Sequence, residues 1–457
     1  MSSNSKHPVL RPVVCAAAFV LMGLSGWAHA QGQAESLVDL FQAAKSYDAA
    51  YLAAKAQAES VQHKAAQANA LHLPTVGLRG TIDRSHFDSS VNVPSATSTS
   101  GSATRKVLGL SARQPLFNRA NDADVNKAEQ ALIAAQSDLK IAEDDLVVRL
   151  TQAYFDVLSA QDLLMTSQAN QKALAEQLAA AKRNFEVGNS TITDTREAQA
   201  RNDLAAAQEI AARNEVKVKS LALDQLVGRT DVKPRPLLTP VKLPALAPET
   251  AEDWAGQTEQ SPLVHKAEVG LAVAKLETAK AKAGHYPTLD ATASLARTDI
   301  DSNNVQAQVL GGAGTNSSIG LELNVPLFAG FAIQNKVKET LTQEEKAEHD
   351  LDNAKRSVTL GTRQAFFGVQ SGMAQVRAYE AAEASAKLAL EATQLGYRVG
   401  VRINKDVLDA QNLLANTQKD LYKARYDVLV ASIKLRQASG TLKPEDLESF
   451  NKLLAPQ

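Results

Sequence analysis

The sequence predicts an α+β membrane protein, in which very long coiled-coil helices carry four strands, each protomer's share of a transmembrane β-barrel. Three observations predict it. The 457-residue chain opens with a secretory leader and has no later apolar run long enough for a membrane helix. Its remainder is a two-fold internal repeat. Each repeat joins two alternating strand patterns to a helical pattern far longer than a compact domain needs.

The leader comes first. Lys6 and Arg11 are its basic start, Val13 to Gly23 its apolar run, and Ala28-His29-Ala30 its small-residue cleavage site, so residues 1–30 read as a signal peptide. Cys15, the single cysteine, lies inside that run, which leaves no disulfide framework, thiol nucleophile or cysteine metal site in the exported chain. The formal charge is −1, and removing Lys6 and Arg11 leaves −3, so nucleic acid is not an expected partner. There is no G-x-S-x-G, no H-E-x-x-H and no phosphate loop, so no enzyme, cofactor or metal is expected. Aromatic residues make up only 5%, which suits narrow alanine-rich helix seams better than a bulky core.

The repeat is read from paired motifs. His72-Leu73-Pro74-Thr75 matches His285-Tyr286-Pro287-Thr288, Pro115-Leu116-Phe117 matches Pro326-Leu327-Phe328, Ala153-Tyr154-Phe155 matches Ala365-Phe366-Phe367, and Gly228 matches Gly440. The offset stays between 211 and 213 throughout. This divides the chain into a first repeat at 31–230, a Pro-rich linker at 231–262, a second repeat at 263–440 and a tail at 441–457. The histidines at 72 and 285 read as polar junction residues rather than metal ligands. Phe117 and Phe328 sit where strand gives way to helix, a place suited equally to interfacial aromatics and to simple helix packing.

In the first repeat a helix is expected over 36–71, ended by Pro74. The hairpin at 74–115 then follows. Val76, Leu78 and Ile82 oppose Thr75, Arg79 and Asp83, and Leu108, Leu110 and Ala112 oppose Gly109, Ser111 and Arg113. The Ser/Thr/Gly-rich stretch 85–104 between them reads as loop. A helix over 121–187 comes next, with a seam at Val125, Ala128, Leu132, Ala135, Leu139, Ala142, Leu146, Leu150, Ala153, Val157, Ala160 and Leu164, the coiled-coil spacing. After a turn at Gly188, a helix over 193–228 closes the repeat.

The second repeat restates the plan. Its hairpin at 287–327 sets Leu289, Ala291, Ala293 and Leu295 against Asp290, Thr292 and Ser294, and Ile319, Leu321, Leu323 and Val325 against Gly320, Glu322 and Asn324. Its seam runs through Leu351, Ala354, Val358, Gly361 and Ala365, and its turn is at Gly400. The two shorter helices of the first repeat together equal the long one, so they stack beside it. Pro234, Pro236, Pro240, Pro244 and Pro248 exclude a long helix in the linker, which reads with the tail as a belt at mid-height.

A membrane-spanning sheet must close, and four strands cannot close alone. Copies must therefore assemble. Three would give twelve strands, and two or four remain open on these grounds. Apolar residues outward and polar residues inward imply a wet lumen.

This duplicated plan, the paired Pro-Leu-Phe motifs, the stretch Tyr397 to Asp409 and the tail Gly440-Thr441-Leu442-Lys443-Pro444-Glu445-Asp446-Leu447 resemble the TolC family of bacterial outer-membrane channel-tunnels, over the whole mature chain. The resemblance implies a homotrimer, with a 12-stranded barrel in outer-membrane lipid standing on a periplasmic α-helical barrel. It also implies a periplasmic adaptor and an inner-membrane pump, ABC or proton-driven, as partners, and secreted polypeptides or small toxic compounds as cargo.

Carried over position by position, Tyr397 and Arg402 resemble the family's constricting residues at the periplasmic tip. Thr193 and Asp194 would be their partners, with Asp194 accepting from Tyr397 within the chain or from Arg402 across subunits. Asp406 and Asp409, spaced i, i+3 on one helix face, resemble its pore cation ring. The plain structural reading is capping: Asp194 and Glu197 make a capping-box-like pattern, and acids suit a first helical turn. Arg402, Asp406 and Asp409 enrich only the second copy, whereas a cap is expected in both. Val401 and Asn404-Lys405 depart from the family pattern, and Lys405 partly neutralises the ring.

Two other functions compete. A periplasmic adaptor also owns long helical hairpins, but only one, framed by small β-domains. A coiled-coil scaffold without a channel would not need four alternating strands.

Overall fold

The computed structural model describes residues 35–89, 99–238, 241, 243–302 and 312–455; the leader at 1–30 lies outside them. Two helices, α1 (Leu37–Tyr47) and α2 (Ala49–Asn69), precede strands β1 (Thr75–Ser89) and β2 (Thr99–Phe117). A 68-residue helix, α3 (Arg119–Glu186), and α4 (Ile192–Val227) complete the first half. The linker carries the short α5 (Ala251–Gly256). The second half runs α6 (Pro262–Ala283), β3 (Thr288–Ser302), β4 (Gly312–Asn324), α7 (Ala332–Arg398) and α8 (Asn404–Ser439), and α9 (Asp446–Asn451) lies in the tail.

The region expected as one helix over 36–71 is instead two, divided at Asp48. Asp48 adopts an extended conformation and its carboxylate accepts from the Tyr51 N–H at 2.9 Å, capping α2. Arg149 on α3 then grips the same carboxylate with two nitrogens, at 3.0 and 2.9 Å. Those bonds hold Asp48 below the usual carboxylate range. The aspartate ahead of an alanine-rich run was the missed start signal.

The strands are also longer than their alternation suggested. Pairing continues from Ser85–Ala103 to Ser89–Thr99, through residues expected to be loop. Ladder hydrogen bonds use the backbone alone, so the Ser/Thr/Gly composition did not prevent them.

All four strands form one antiparallel sheet in the order β1-β2-β3-β4, and the β2–β3 pairing joins the two halves. Register decides which face each side chain takes. Val76 pairs with Ala112, Ala112 with Ala293 and Ala293 with Ile319, while Leu78 pairs with Leu110 and Leu110 with Leu295. The apolar sets thus merge into one exposed face, on which Leu78 is 70% and Ile319 90% accessible. The opposite face is polar, with Arg113 paired to the buried Asp290 at 2.6 Å and Ser294 bonded to Ser318 at 2.8 Å.

Away from the sheet, α3 is the axis. At about 1.5 Å per residue it is roughly 100 Å long. Its N-terminus is capped by Asn118, which accepts from the Ala120 and Asn121 N–H groups. None of its twelve predicted seam residues is exposed. Lys127–Glu277, Lys280–Asp124 and Lys266–Asp138 fasten its upper half to α6, and α2 runs beside the same stretch. Its lower half packs on α4 and α8. The main core surrounds its midpoint, where Leu146, Leu150, Tyr154, Phe155 and Val157 meet Leu37, Leu40 and Phe41 of α1, Leu223 of α4, Leu429 and Ile433 of α8 and Phe450 of the tail.

Linker and tail cross at this height. Leu238 N–H donates to Leu453 O and Ala455 N–H to Pro236 O, both within 2.9 Å, and the buried Tyr154 hydroxyl accepts from the Arg235 N–H at 2.8 Å. Pro240 of the linker lies outside the described residues. Among the described residues no helix is long and apolar enough to cross a membrane.

Candidate functional site

The candidate site is the pair of turns at the end of α3 and α7 remote from the sheet. Each long helix ends in the same six-residue closure. In the first, Gly188 N–H donates to Phe185 O at 3.0 Å and Asn189 N–H to Asn184 O at 2.7 Å. In the second, Gly400 N–H donates to Tyr397 O at 3.1 Å and Val401 N–H to Gly396 O at 2.9 Å. This motif requires a left-handed residue just past the helix end, and Gly188 (φ +78°) and Gly400 (φ +82°) supply it.

The turns differ in how they restart. Before α4, Thr191 Oγ1 accepts from the Asp194 N–H at 3.2 Å, and the Asp194 carboxylate accepts from the Thr191 N–H at 3.0 Å and from the Thr191 and Ser190 hydroxyls. This is a complete capping box, and the Thr191 donors, led by its N–H, lower the Asp194 pKa. Before α8, the position equivalent to Thr191 is Ile403, which has no cap oxygen. The expected recurrence of the cap is therefore corrected: it exists only in the first turn. Asp406, the twin of Asp194, is left free for another partner.

Of the six named residues, one protomer pairs only Arg402 with Asp406. Thr193 is exposed, and Asp194 is engaged by its own cap rather than by Tyr397. The Tyr397 hydroxyl instead accepts from Asn184 Nδ2 at 3.2 Å. Arg402 lies 3.6 Å from Asp406, four residues on. Its side chain folds over Gly396, where a Cβ would come within 2.8 Å of the Arg402 Cγ. Asp409 accepts from Lys405 one turn earlier, which raises the lysine pKa, and also from Arg201 of α4 at 2.9 Å. Both carboxylates thus have cations against them, and Asp409 has two.

A ladder of amides ties this tip together. Asn184 bonds Tyr397, Gln177 Nε2 donates to Asn404 Oδ1 at 2.6 Å, and Gln411 Nε2 donates to Asn170 Oδ1 at 3.3 Å. Steps of seven residues separate the rungs on both sides of the seam, and Asn170 and Asn404 are buried. Leu174, Leu178, Ala181, Ala198, Ala205 and Leu408 fill the space between rungs. Sequence reasoning missed the ladder, Arg201 and Gly396. The seven-residue spacing of Asn170, Gln177 and Asn184, matched by Tyr397, Asn404 and Gln411, was the available signal. At the other end of the long helices His72 Nε2 lies 3.1 Å from Asp122, and no group of three or more metal-binding side chains occurs among the described residues.

The family model for outer membrane efflux proteins matches residues 40–229 and 257–441. The chain belongs to the outer membrane efflux protein family. The two matched blocks each carry one hairpin, one long helix and one of the two turns. Outer membrane protein TolC of Vibrio cholerae is 31% identical over 445 residues, covering 97% of this chain and 98% of that protein. The alkaline protease secretion protein AprF of Pseudomonas aeruginosa is 32% identical over 351 residues, covering 75% and 71%. The fold is that of solved outer-membrane channels. VceC of Vibrio cholerae superposes with a TM-score of 0.74 at 19% identity, covering 88% of this chain and 96% of that one. The open state of MtrE from Neisseria gonorrhoeae gives 0.71 at 18%, covering 89% and 90%. This outer-membrane family is one of channel components, and an efflux and secretion role goes with it.

Proposed function

We propose that three copies of this chain form an outer-membrane exit duct for a tripartite pump, closed at the periplasmic tip by the α3/α4 and α7/α8 turns. The sheet carries the reading. Its apolar face is exposed while its outer strands β1 and β4 are each paired on one side only, so in a bilayer β4 of one copy must meet β1 of the next. Three copies give twelve strands around a polar lumen. The long helices support the same assembly. Leu204, Ile210, Val218 and Leu221 of α4, and Leu341, Leu360, Phe367, Leu388 and Leu395 of α7, are exposed in the single chain and are positioned to pack between neighbours.

An inner-membrane pump and a periplasmic adaptor are the partners, because a duct without its own energy source depends on both. Thr193, Asp194, Tyr397 and Arg402 form the gate between subunits, and Asp406 and Asp409 repeat around the axis as two carboxylate rings. The cargo is a polypeptide or a small toxic compound. Envelope fractionation with chemical cross-linking tests the assembly: the protein should appear in the outer-membrane fraction and cross-link to trimers. Recovery as a soluble periplasmic monomer would favour the adaptor or scaffold readings and overturn this one.

A further inference from the structure

We propose that Arg201 is a selectivity residue of the tip, a detachable counter-ion that covers Asp409 while α4 and α8 touch and uncovers it when they part. The inference rests on the reading of Asp406 and Asp409 as pore carboxylates and adds a residue that controls them.

The counter-ions fall into two kinds. Arg402 and Lys405 each stand four residues before the carboxylate they face, so they travel with it. Arg201 comes from the other hairpin. Its Nη2 reaches Asp409 Oδ1 at 2.9 Å and Glu197 of its own helix at 3.8 Å. Asp409 thus holds one fixed and one removable cation.

The surroundings favour removal. Directly beyond Arg201 a cleft of about 580 Å³ lies between α3, α4 and α8, lined by Asn170, Leu204, Gln208, Asn412 and Lys419 among others. Beside the ion pair itself the two helices meet only through the small Ala198 and Ala205 of α4 and Leu408 of α8. Arg201 and Asp409 are 33% and 44% exposed, so the pair itself holds weakly. Its electrostatic effect on a passing ion is a separate matter. A cation 2.9 Å from a carboxylate cancels most of its field at pore distances, and in a symmetric assembly the cancellation repeats in every copy. Withdrawal of Arg201 leaves Asp409 with Lys405 alone, and the tip then favours cations more strongly than when closed.

The test is the reversal potential of the full-length protein in planar bilayers under a KCl gradient. Arg201→Gln should raise the cation-to-anion permeability ratio about twofold, and Arg201→Lys, which keeps the charge, should stay close to wild type. Asp409→Asn should lower the ratio. Channel activity in each variant reports that it folds and inserts. An unchanged ratio in Arg201→Gln would overturn the proposal, as would an equal rise in Arg201→Lys. If Asp406→Asn/Asp409→Asn leaves the ratio at wild type, the carboxylate ring itself fails, and this inference with it.

Discussion

Gln177 Nε2 donates to Asn404 Oδ1 at 2.6 Å, and this part-buried bond is the middle rung between α3 and the α7/α8 hairpin. A seam that alternates polar rungs with leucine and alanine behaves differently from one filled with leucine alone. Each neutral hydrogen bond contributes only about 0.5–1.5 kcal/mol net, because the separated groups recover water. The seam is thus specific in register and cheap to part. Replacing both members, as Gln177→Leu/Asn404→Leu, removes the polar groups together and also removes the Asn404 Nδ2, which has no partner among the described residues. The double variant should hold the tip shut, strengthening the seam by about 1–2 kcal/mol. Export of a dye or antibiotic should fall while outer-membrane abundance is unchanged; transport at the wild-type rate would show that the seam does not open.

The joint between α1 and α2 carries a pH dependence whose sign is fixed. Arg149 depresses the Asp48 pKa, so the pair contributes stability above the ordinary carboxylate pKa of about 4 and loses it as pH falls through the lower folded value. Arg149→Gln should cost about 1–2 kcal/mol at neutral pH, allowing for the partly exposed guanidinium. Denaturant titration across pH 3–7 should show the two proteins converging below about pH 4. A constant gap at all pH values would contradict the assignment.

Gly188 and Gly400 are required by backbone rather than by space. Nothing lies within 4 Å of a Cβ built on either, yet both have φ near +80°. Alanine at either position should cost about 1 kcal/mol or more, and asparagine, which tolerates the left-handed region, should cost less. Limited proteolysis at the tip would detect the loosened turn. Equal protease sensitivity of wild type and Gly400→Ala would argue against it.

On the sheet, Ile319 and its neighbour Ser318 face opposite sides. Arginine at 319 would sit against lipid and should cost about 2–4 kcal/mol near the bilayer midplane, depleting the protein from the outer membrane. Arginine at 318 would face the lumen and should be tolerated. Equal abundance of the two variants would contradict the face assignment.

Much of this was legible in the sequence because periodicity reports burial directly. The α3 seam, the apolar strand sets and the glycine turns all follow from spacing. Asp48 shows where that stops, since a helix joint made by a distant Arg149 leaves no periodic trace. Ser85 to Ser89 joined β1 because a partner strand was present, which composition does not reveal. At the tip, the charges of the second turn were visible but their partners were not. Arg201 lies 208 positions before Asp409, and only the fold brings them together. Ile403 in place of a capping residue was readable, and it is what separates Asp406 from Asp194.

The proposed channel is closed at its tip by Arg402 and its partners. Single-channel conductance of Arg402→Ser beside wild type, in planar bilayers, tests it most directly. The variant should show a larger conductance, because a gating side chain and its bonds are gone. An unchanged conductance, or no channel from the intact wild-type protein, would contradict it.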